Sequence, residues 1–153
     1  MKSFEVSNSP VRSARWIARK QWIIVASDDQ KIRVYNYNTS QKLHTIDEHS
    51  DYIRHVTVHP TLPYALSCSD DQTILMYDWD KKWAKCNTFV DHSHYVMHIA
   101  INPCDPNMFA SASLDKTIKI WSIQGKKSSA NYSLTGHKAG VNCVDFSKSF
   151  DKP

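Results

Sequence analysis

Three aspartates at a regular spacing are the side chains in this sequence most suited to acid–base chemistry. Asp29, Asp71 and Asp115 are separated by 42 and 44 residues, and each lies in a short polar segment between two apolar runs. A carboxylate held beside a second polar group can act as a general acid or base. A carboxylate at the same place in every repeat, however, is typical of a turn on which the fold depends. We therefore interpret the three aspartates as structural.

The histidines and cysteines do not complete a metal site in the sequence. His92 and His94 lie two residues apart, but no third ligand follows at a useful spacing. The cysteines are far apart, which favours neither a zinc knuckle nor a disulfide framework, and we expect them to be mostly buried; they are Cys68, Cys86, Cys104 and Cys143. We predict no metal and no cofactor.

Composition points to a folded protein and gives no sign of an enzyme. Hydrophobic residues make up 41% and aromatic residues 11% of the 153 residues, enough for a core. Only three glycines are present, and no GxSxG, HExxH or phosphate-binding loop occurs, so we expect no enzyme. The sequence has no signal peptide and no run of 18 apolar residues, and we expect a cytoplasmic protein.

A basic stretch near the N terminus allows two interpretations. It consists of Arg12, Arg15, Trp16, Arg19, Lys20 and Trp22. Cations between aromatic rings can hold single-stranded RNA. Alternate residues of a strand also face opposite ways, which would divide the cations and rings between two surfaces. Because the net charge is +4 and is spread along the chain, we favour the second interpretation and expect no nucleic-acid partner.

A repeat of 42 to 45 residues organises the chain. Three segments align without gaps, VASDDQKIRVYNY, LSCSDDQTILMYDW and ASASLDKTIKIWSI. Each unit contains four short apolar runs separated by turn residues, as in IRHVTV, ALSCS, TILMYDW and KCNTFV. Lys81, Lys82 and Trp83 would form a solvated tip between the third and fourth strands. The period predicts an all-β fold with about three four-stranded antiparallel blades of a β-propeller.

The repeat boundaries suggest a section of a larger ring. We predict an outer strand of a preceding blade at 1–6, blades at 7–48, 49–91 and 92–136, and the start of a further blade at 137–153. Propellers have about 4–8 blades and close to hide their edges. We therefore expect a fragment whose open edges favour self-association.

These repeats resemble the WD-repeat family, whose blades carry a His before the first strand, an Asp in the tight turn and a Trp in the third strand. In that family the three side chains and a second-strand serine, here Ser67 or Ser69 in the second blade, form a buried hydrogen-bond chain. The resemblance assigns this structural network to Asp29, His49, Asp71, His92, Asp115, Trp121 and His137. Tyr35 and Tyr77 replace the Trp in two repeats, which weakens the last link there because a phenol oxygen lies farther out than an indole nitrogen.

Stretches such as HSDYIRHVTVHPT, YDWDKKW and FASASLDKTIKIW further resemble the β′ subunits of coatomer, the COPI vesicle coat. The resemblance implies a coat scaffold on Golgi and vesicle membranes that works with other coatomer subunits. It also implies capture of membrane cargo through cytosolic C-terminal dilysine tails during Golgi-to-endoplasmic-reticulum and intra-Golgi transport. A WD-repeat adaptor of an unrelated complex, such as a ubiquitin ligase or ribonucleoprotein scaffold, is the alternative.

A dilysine tail needs basic donors for its carboxylate and acidic groups for its ammoniums. In an antiparallel blade the loop before the first strand and the second hairpin lie at one end, so Asp51 and Asp70 should be neighbours. By resemblance, Asp51 and Asp70 would bind a lysine and Arg12 the carboxylate, with Arg54 as a weaker candidate. Further members of the site would come from blades that this chain lacks.

Overall fold

The computed structural model describes residues 3, 5–125 and 127–147, and twelve strands in three sheets make up its regular structure almost entirely. The first sheet contains β1 (Val11–Ile17), β2 (Trp22–Ser27), β3 (Ile32–Asn36) and β4 (Lys42–Ile46). The second contains β5 (Ile53–Val58), β6 (Tyr64–Ser69), β7 (Thr73–Asp78) and β8 (Ala84–Val90). The third contains β9 (Val96–Ile101), β10 (Met108–Ser113), β11 (Ile118–Ser122) and β12 (Tyr132–Leu134).

Each sheet is an antiparallel meander in which strands pair in sequence order. Tight turns join the second and third strands of each sheet, and their last residues have left-handed backbone angles. Gln30, Gln72 and Lys116 have φ values of 68°, 71° and 73°. The preceding Asp accepts backbone hydrogen bonds from two residues further on and so stabilises the turn without glycine. The prediction of an all-β fold with three four-stranded sheets is confirmed.

Apolar side chains at the two contacts between neighbouring sheets form the core. One cluster joins the first and second sheets and includes Ile24, Val56 and Tyr77. The other joins the second and third sheets and includes Leu66, Phe89 and Trp121. Burial at sheet–sheet contacts is the main stabilising contribution, because each sheet alone would leave its apolar faces in water.

The prediction that Trp83 belongs to a solvated hairpin tip is wrong. Trp83 is only 7% exposed and packs against Trp22, Trp79 and the ring of His44 at centroid distances of 6.0, 5.7 and 6.3 Å. A short 3-10 helix at Trp79–Lys81 precedes it and turns the ring inward. Trp83 therefore joins the first and second sheets, whereas the neighbouring Lys81 and Lys82 are exposed to solvent as predicted.

Polar contacts near Trp79 and Trp83 also hold the sheets together. The guanidinium of Arg19 donates to the main-chain oxygens of Pro60 and Thr61 at 3.1 and 2.5 Å and lies 4.8 Å from the centroid of the Trp79 ring. His59 in turn hydrogen-bonds the carbonyl of Pro106 in the third sheet at 3.1 Å. One loop of the second sheet is thus held from both sides.

The chain outside the three sheets leaves several predictions open. Residues 1, 2 and 4 lie outside the described part, and residues 3, 5 and 6 are not in a strand, so the outer strand at 1–6 stays a prediction. The other boundaries, 48/49, 91/92 and 136/137, fall in loops and stay predictions as well. Trp16 and Tyr132 are 62% and 66% exposed, which is compatible with the expected self-association without testing it.

Two further observations concern membranes and cysteines. Within the described ranges no helix is long and apolar enough to cross a bilayer. The expectation of mostly buried cysteines is wrong: Cys68 is buried, whereas the other three are exposed, namely Cys86, Cys104 and Cys143. Burial raises the pKa of the Cys68 thiol, which keeps it protonated.

Candidate functional site

Loops from all three sheets meet at one edge of the molecule, which we call the rim. It comprises the segments that lead into β1, β5 and β9, the first two residues of these strands, and the β2–β3, β6–β7 and β10–β11 turns. The same backbone bond connects them in each sheet: the amides of Asp28, Asp70 and Leu114 donate to carbonyls of the preceding loop at 2.9, 2.9 and 3.0 Å. Ser69 also donates its hydroxyl to the Asp51 carbonyl at 3.1 Å. The two loops that carry Asp51 and Asp70 therefore do lie together.

A buried hydrogen-bond chain supports the rim of the second sheet. His49 Nδ1 lies 2.7 Å from an oxygen of Asp71, and Nε2 lies 2.7 Å from Ser67 Oγ. Asp71 also accepts from the amide and hydroxyl of Thr73 at 2.9 and 2.7 Å. Burial opposes ionisation of Asp71, but the hydrogen bonds from His49 and Thr73 outweigh it and lower its pKa to about 2.

The third sheet contains the same chain with one more member. His92 contacts Asp115 at 2.7 Å and Ser111 at 2.6 Å, and the indole nitrogen of Trp121 donates to Ser111 at 2.8 Å. Burial lowers the pKa of His92, so its ring is neutral at pH 7 and can accept from the serine. The pKa of Asp115 is about 2, because hydrogen bonds from Thr117 and His92 outweigh burial.

In the second sheet Tyr77 stands in place of the tryptophan, and the hydrogen-bond chain has one member fewer than in the third sheet. Burial raises the pKa of Tyr77, an effect that the nearby Ser67 only partly offsets. The Tyr77 hydroxyl makes no hydrogen bond of ordinary geometry within the described residues. The structure thus places the indole nitrogen of Trp121 on its serine and leaves the phenol without the corresponding contact.

The first sheet has a different arrangement that sequence reasoning missed. Ser7 stands where the other sheets have histidine and donates to Asp29 at 2.9 Å. Arg33 supplies the cation, with its two terminal nitrogens 3.1 and 2.6 Å from the Asp29 carboxylate. These bonds and that of Ser27 outweigh burial and hold the Asp29 pKa well below normal. The available signal was Arg33 itself, at a position occupied by Leu75 in the second repeat.

His137 and His94 have simpler environments. His137 is exposed and forms no hydrogen bond within the described residues. Nδ1 of His94 accepts from the backbone of Tyr95 at 2.7 Å, and His92 is occupied by the buried chain. In the part of the chain that the structure describes, no group of three or more His, Cys, Asp or Glu residues could hold a metal ion.

Two arginine–aspartate pairs dominate the rim surface. Nε and Nη2 of Arg12 donate to the two carboxylate oxygens of Asp28 at 2.8 and 2.6 Å. Arg54 repeats the contact with Asp70 at 2.6 and 2.5 Å. The Asp28 and Asp70 side chains are 9% and 4% exposed, whereas that of Arg12 is 44% exposed. Each carboxylate is therefore covered by its own arginine.

The four charges interact as one cluster. The hydrogen bond from Arg12 lowers the pKa of Asp28, and the charge of Arg54 lowers it further. Asp70 in turn contributes to the raised pKa of Arg12, after the larger effect of Asp28. The row alternates in sign across two sheets and ends at the third, where Met97 and Leu114 occupy the corresponding positions.

Asp51 lies beside this row and has fewer partners. One of its oxygens accepts from the Tyr52 amide at 2.7 Å, and no side-chain cation pairs with it among the described residues. Tyr52 is 44% exposed, and its ring centroid lies 5.8 Å from the Arg54 guanidinium carbon. The rim thus combines accessible guanidinium groups, one accessible carboxylate and an aromatic ring.

The remaining basic residues of the N-terminal stretch point to separate partners. Arg15 contacts the Ala14 carbonyl at 2.9 Å and Nε2 of His55 at 2.8 Å. Arg19 binds the loop of the second sheet, and Lys20 lies 5.8 Å from the Trp22 ring centroid. The stretch therefore does not present one continuous basic surface.

Comparison with known proteins agrees with this architecture. The chain is 53% identical over all 153 residues to coatomer subunit beta′ of Homo sapiens and of Drosophila melanogaster, and to putative coatomer subunit beta′-3 of Oryza sativa subsp. japonica. It spans 17%, 16% and 17% of the lengths of these relatives. The family model for the WD domain, G-beta repeat, matches residues 1–36, 40–78, 83–122 and 128–151. The chain belongs to the WD-repeat family.

Proposed function

We propose that this chain is part of the scaffold of a COPI-type vesicle coat. Its partners would be other coatomer subunits, and its place the cytoplasmic side of Golgi and vesicle membranes. The support is the 53% identity to coatomer subunit beta′ along the whole chain, together with a WD-repeat architecture that offers binding surfaces. The same likeness supports a scaffold role rather than catalysis.

Within that coat, we propose that the rim binds C-terminal dilysine tails of membrane cargo. The observation that carries this proposal is that the guanidinium groups of Arg12 and Arg54 share one rim with the Asp51 carboxylate, whose loop contacts the Asp70 turn. A guanidinium has five N–H donors in a planar fork, and each pair with an aspartate uses only one edge. The other edge of Arg12 can therefore receive the terminal carboxylate of a tail, with Arg54 as a second donor.

The two rim aspartates would serve the lysines unequally. Asp51 has no cationic partner among the described residues and can meet an ammonium directly. Asp70 is 5% exposed and holds Arg54 with both oxygens, so a lysine must share it with that arginine. We expect Asp51 to contribute the larger part of the lysine-dependent affinity, because an unshared carboxylate keeps more of its attraction for a cation.

Peptide binding tests this proposal. A labelled peptide with two lysines close to a free C-terminal carboxyl is titrated with the chain by fluorescence anisotropy. Charge-assisted hydrogen bonds suggest that Arg12→Ala or Asp51→Ala weakens binding by about ten- to a hundredfold. Amidation of the peptide should cost about as much as Arg12→Ala, and added salt should weaken the complex.

A matched control removes a charge away from the rim. Lys42 is exposed on the outer strand of the first sheet, and Lys42→Ala should leave the affinity unchanged. Equal binding of free and amidated peptides would show that the rim does not recognise the carboxylate.

A further inference from the structure

The pairing at the rim points to a role for Asp28, which precedes the structural Asp29 in the first tight turn. We infer that Asp28 is a positioning residue: it holds Arg12 by its Nε–Nη2 edge so that the other edge faces an incoming carboxylate. The inference rests on the proposed function of the rim. It assigns to Asp28 a part in selecting tails with a free C terminus, without direct contact to the ligand.

Asp28 is itself held firmly in place. Its amide donates to the Pro10 carbonyl at 2.9 Å, which ties the turn to the segment that leads into β1. The next residue, Asp29, is fixed by Ser27 and by Arg33 at 2.5 and 2.6 Å. The Asp28 side chain is 9% exposed. Its carboxylate therefore offers a fixed point to which a mobile side chain can be attached.

Arg12 needs such a point because it lies at the surface. Its side chain is 44% exposed and touches Asp28 through Nε and Nη2 only, while Nη1 has no partner among the described residues. A free arginine side chain loses considerable rotamer entropy when it binds a ligand. The contact with Asp28 imposes that order before the ligand arrives, which is the general advantage of preorganisation.

The second sheet contains an equivalent arginine–aspartate pair, and the third sheet does not. Arg54 and Asp70 pair edge to edge as Arg12 and Asp28 do. In the third sheet, Met97 and Leu114 stand at these positions. A contact required by the repeat itself would be expected in all three sheets. The restriction to two neighbouring sheets favours a function at this part of the rim.

A second effect of Asp28 has the opposite sign. Its negative charge repels an incoming carboxylate, so its removal could also increase the affinity for the tail. In water that repulsion is weak at the distance set by an intervening guanidinium and is further reduced by salt. The entropy that Arg12 loses on binding, once Asp28 no longer orders it, does not depend on charge and is therefore not reduced by salt. We therefore expect the positioning effect to exceed the repulsion, and the direction of the change decides between the two.

The test compares free and amidated dilysine peptides on the unmodified chain, Asp28→Ala and Asp28→Asn. The Ala variant should bind the free peptide about tenfold more weakly, from the entropy of one arginine side chain, and the Asn variant about threefold. Binding of the amidated peptide should not change, so the ratio of the two affinities should fall. Asp28→Ala combined with Arg12→Ala should be no weaker than Arg12→Ala alone.

Controls separate this inference from folding and from the proposed function. Asp80 is exposed at the opposite edge, and Asp80→Ala should leave the ratio unchanged. Thermal unfolding of each variant checks that the fold is kept; if Asp28→Ala does not fold, Asp28→Asn carries the test. If the unmodified chain does not distinguish the two peptides, the proposed function fails. If it does, but Asp28 variants keep the ratio or bind more tightly, the positioning role is wrong.

Discussion

Removal of the Asp71 carboxylate should lower stability and not merely affinity. Asp71 accepts four hydrogen bonds, from His49 Nδ1 at 2.7 Å, the Ser50 amide at 3.2 Å, and the amide and hydroxyl of Thr73 at 2.9 and 2.7 Å. In Asp71→Ala these donors lose their partner, and the His49 ring is buried. A buried donor left without its acceptor typically costs about 1–3 kcal/mol of unfolding free energy, and we expect a loss of about 3 kcal/mol here because several donors are affected.

The lowered pKa of Asp71 shows separately how much its negative charge contributes to the unfolding free energy. A decrease from 3.8 to about 2 corresponds to about 2 kcal/mol in favour of the ionised form in the folded state. Because the pKa is lower in the folded chain, this stabilisation is complete above pH 3.8 and is lost as the pH falls through about 2. Asp71→Asn, which keeps the shape and one acceptor, should therefore cost about 2 kcal/mol at pH 7.

Urea unfolding at pH 7, 4 and 3 measures both quantities. The difference in unfolding free energy between the unmodified chain and Asp71→Asn should shrink by about 1 kcal/mol from pH 7 to pH 3. Asp51→Ala, in the adjoining loop, should change stability by less than about 0.5 kcal/mol. A loss below about 1 kcal/mol for Asp71→Ala, or a difference for Asp71→Asn that does not vary with pH, would refute this account of the buried chain.

Two more predictions concern contacts between the sheets. Burial, with the nearby charges of His98 and Arg15, lowers the pKa of His55 to about 3. The unfolding free energy should therefore fall as the pH decreases from about 6.5, by up to about 1.4 kcal/mol per pH unit. In urea unfolding, His55→Gln should flatten this slope, and parallel pH profiles for the two chains would contradict the prediction. Trp83→Ala should lower the unfolding free energy by about 3–5 kcal/mol, because it opens a cavity between the first and second sheets. Lys82→Ala, the control, should lower it by less than about 0.5 kcal/mol. Equal thermal midpoints for the two variants would count against the packing role of Trp83.

Much of the fold was predictable because its signals are local. The Asp29, Asp71 and Asp115 turns recur at nearly constant spacing, and short apolar runs on either side indicate strands without knowledge of their neighbours. Repetition also distinguished structural carboxylates from catalytic ones. The shape of a side chain is also known from the sequence. It predicted that the Tyr77 hydroxyl would lack the serine contact that the Trp121 indole makes.

The sequence by itself determined the strand order, the turn residues and the repeat positions of the charged rim residues. Only the tertiary structure decided which charges are free. Arg12 and Asp28 are 16 residues apart and meet because β1 pairs with β2. Arg33 reaches the Asp29 carboxylate from β3, whereas the equivalent carboxylates of the other two sheets are bound by a histidine. Trp83 is buried because the first sheet covers its hairpin. Side-chain pairing and burial depend on what lies across a strand or sheet, and local sequence does not contain that information.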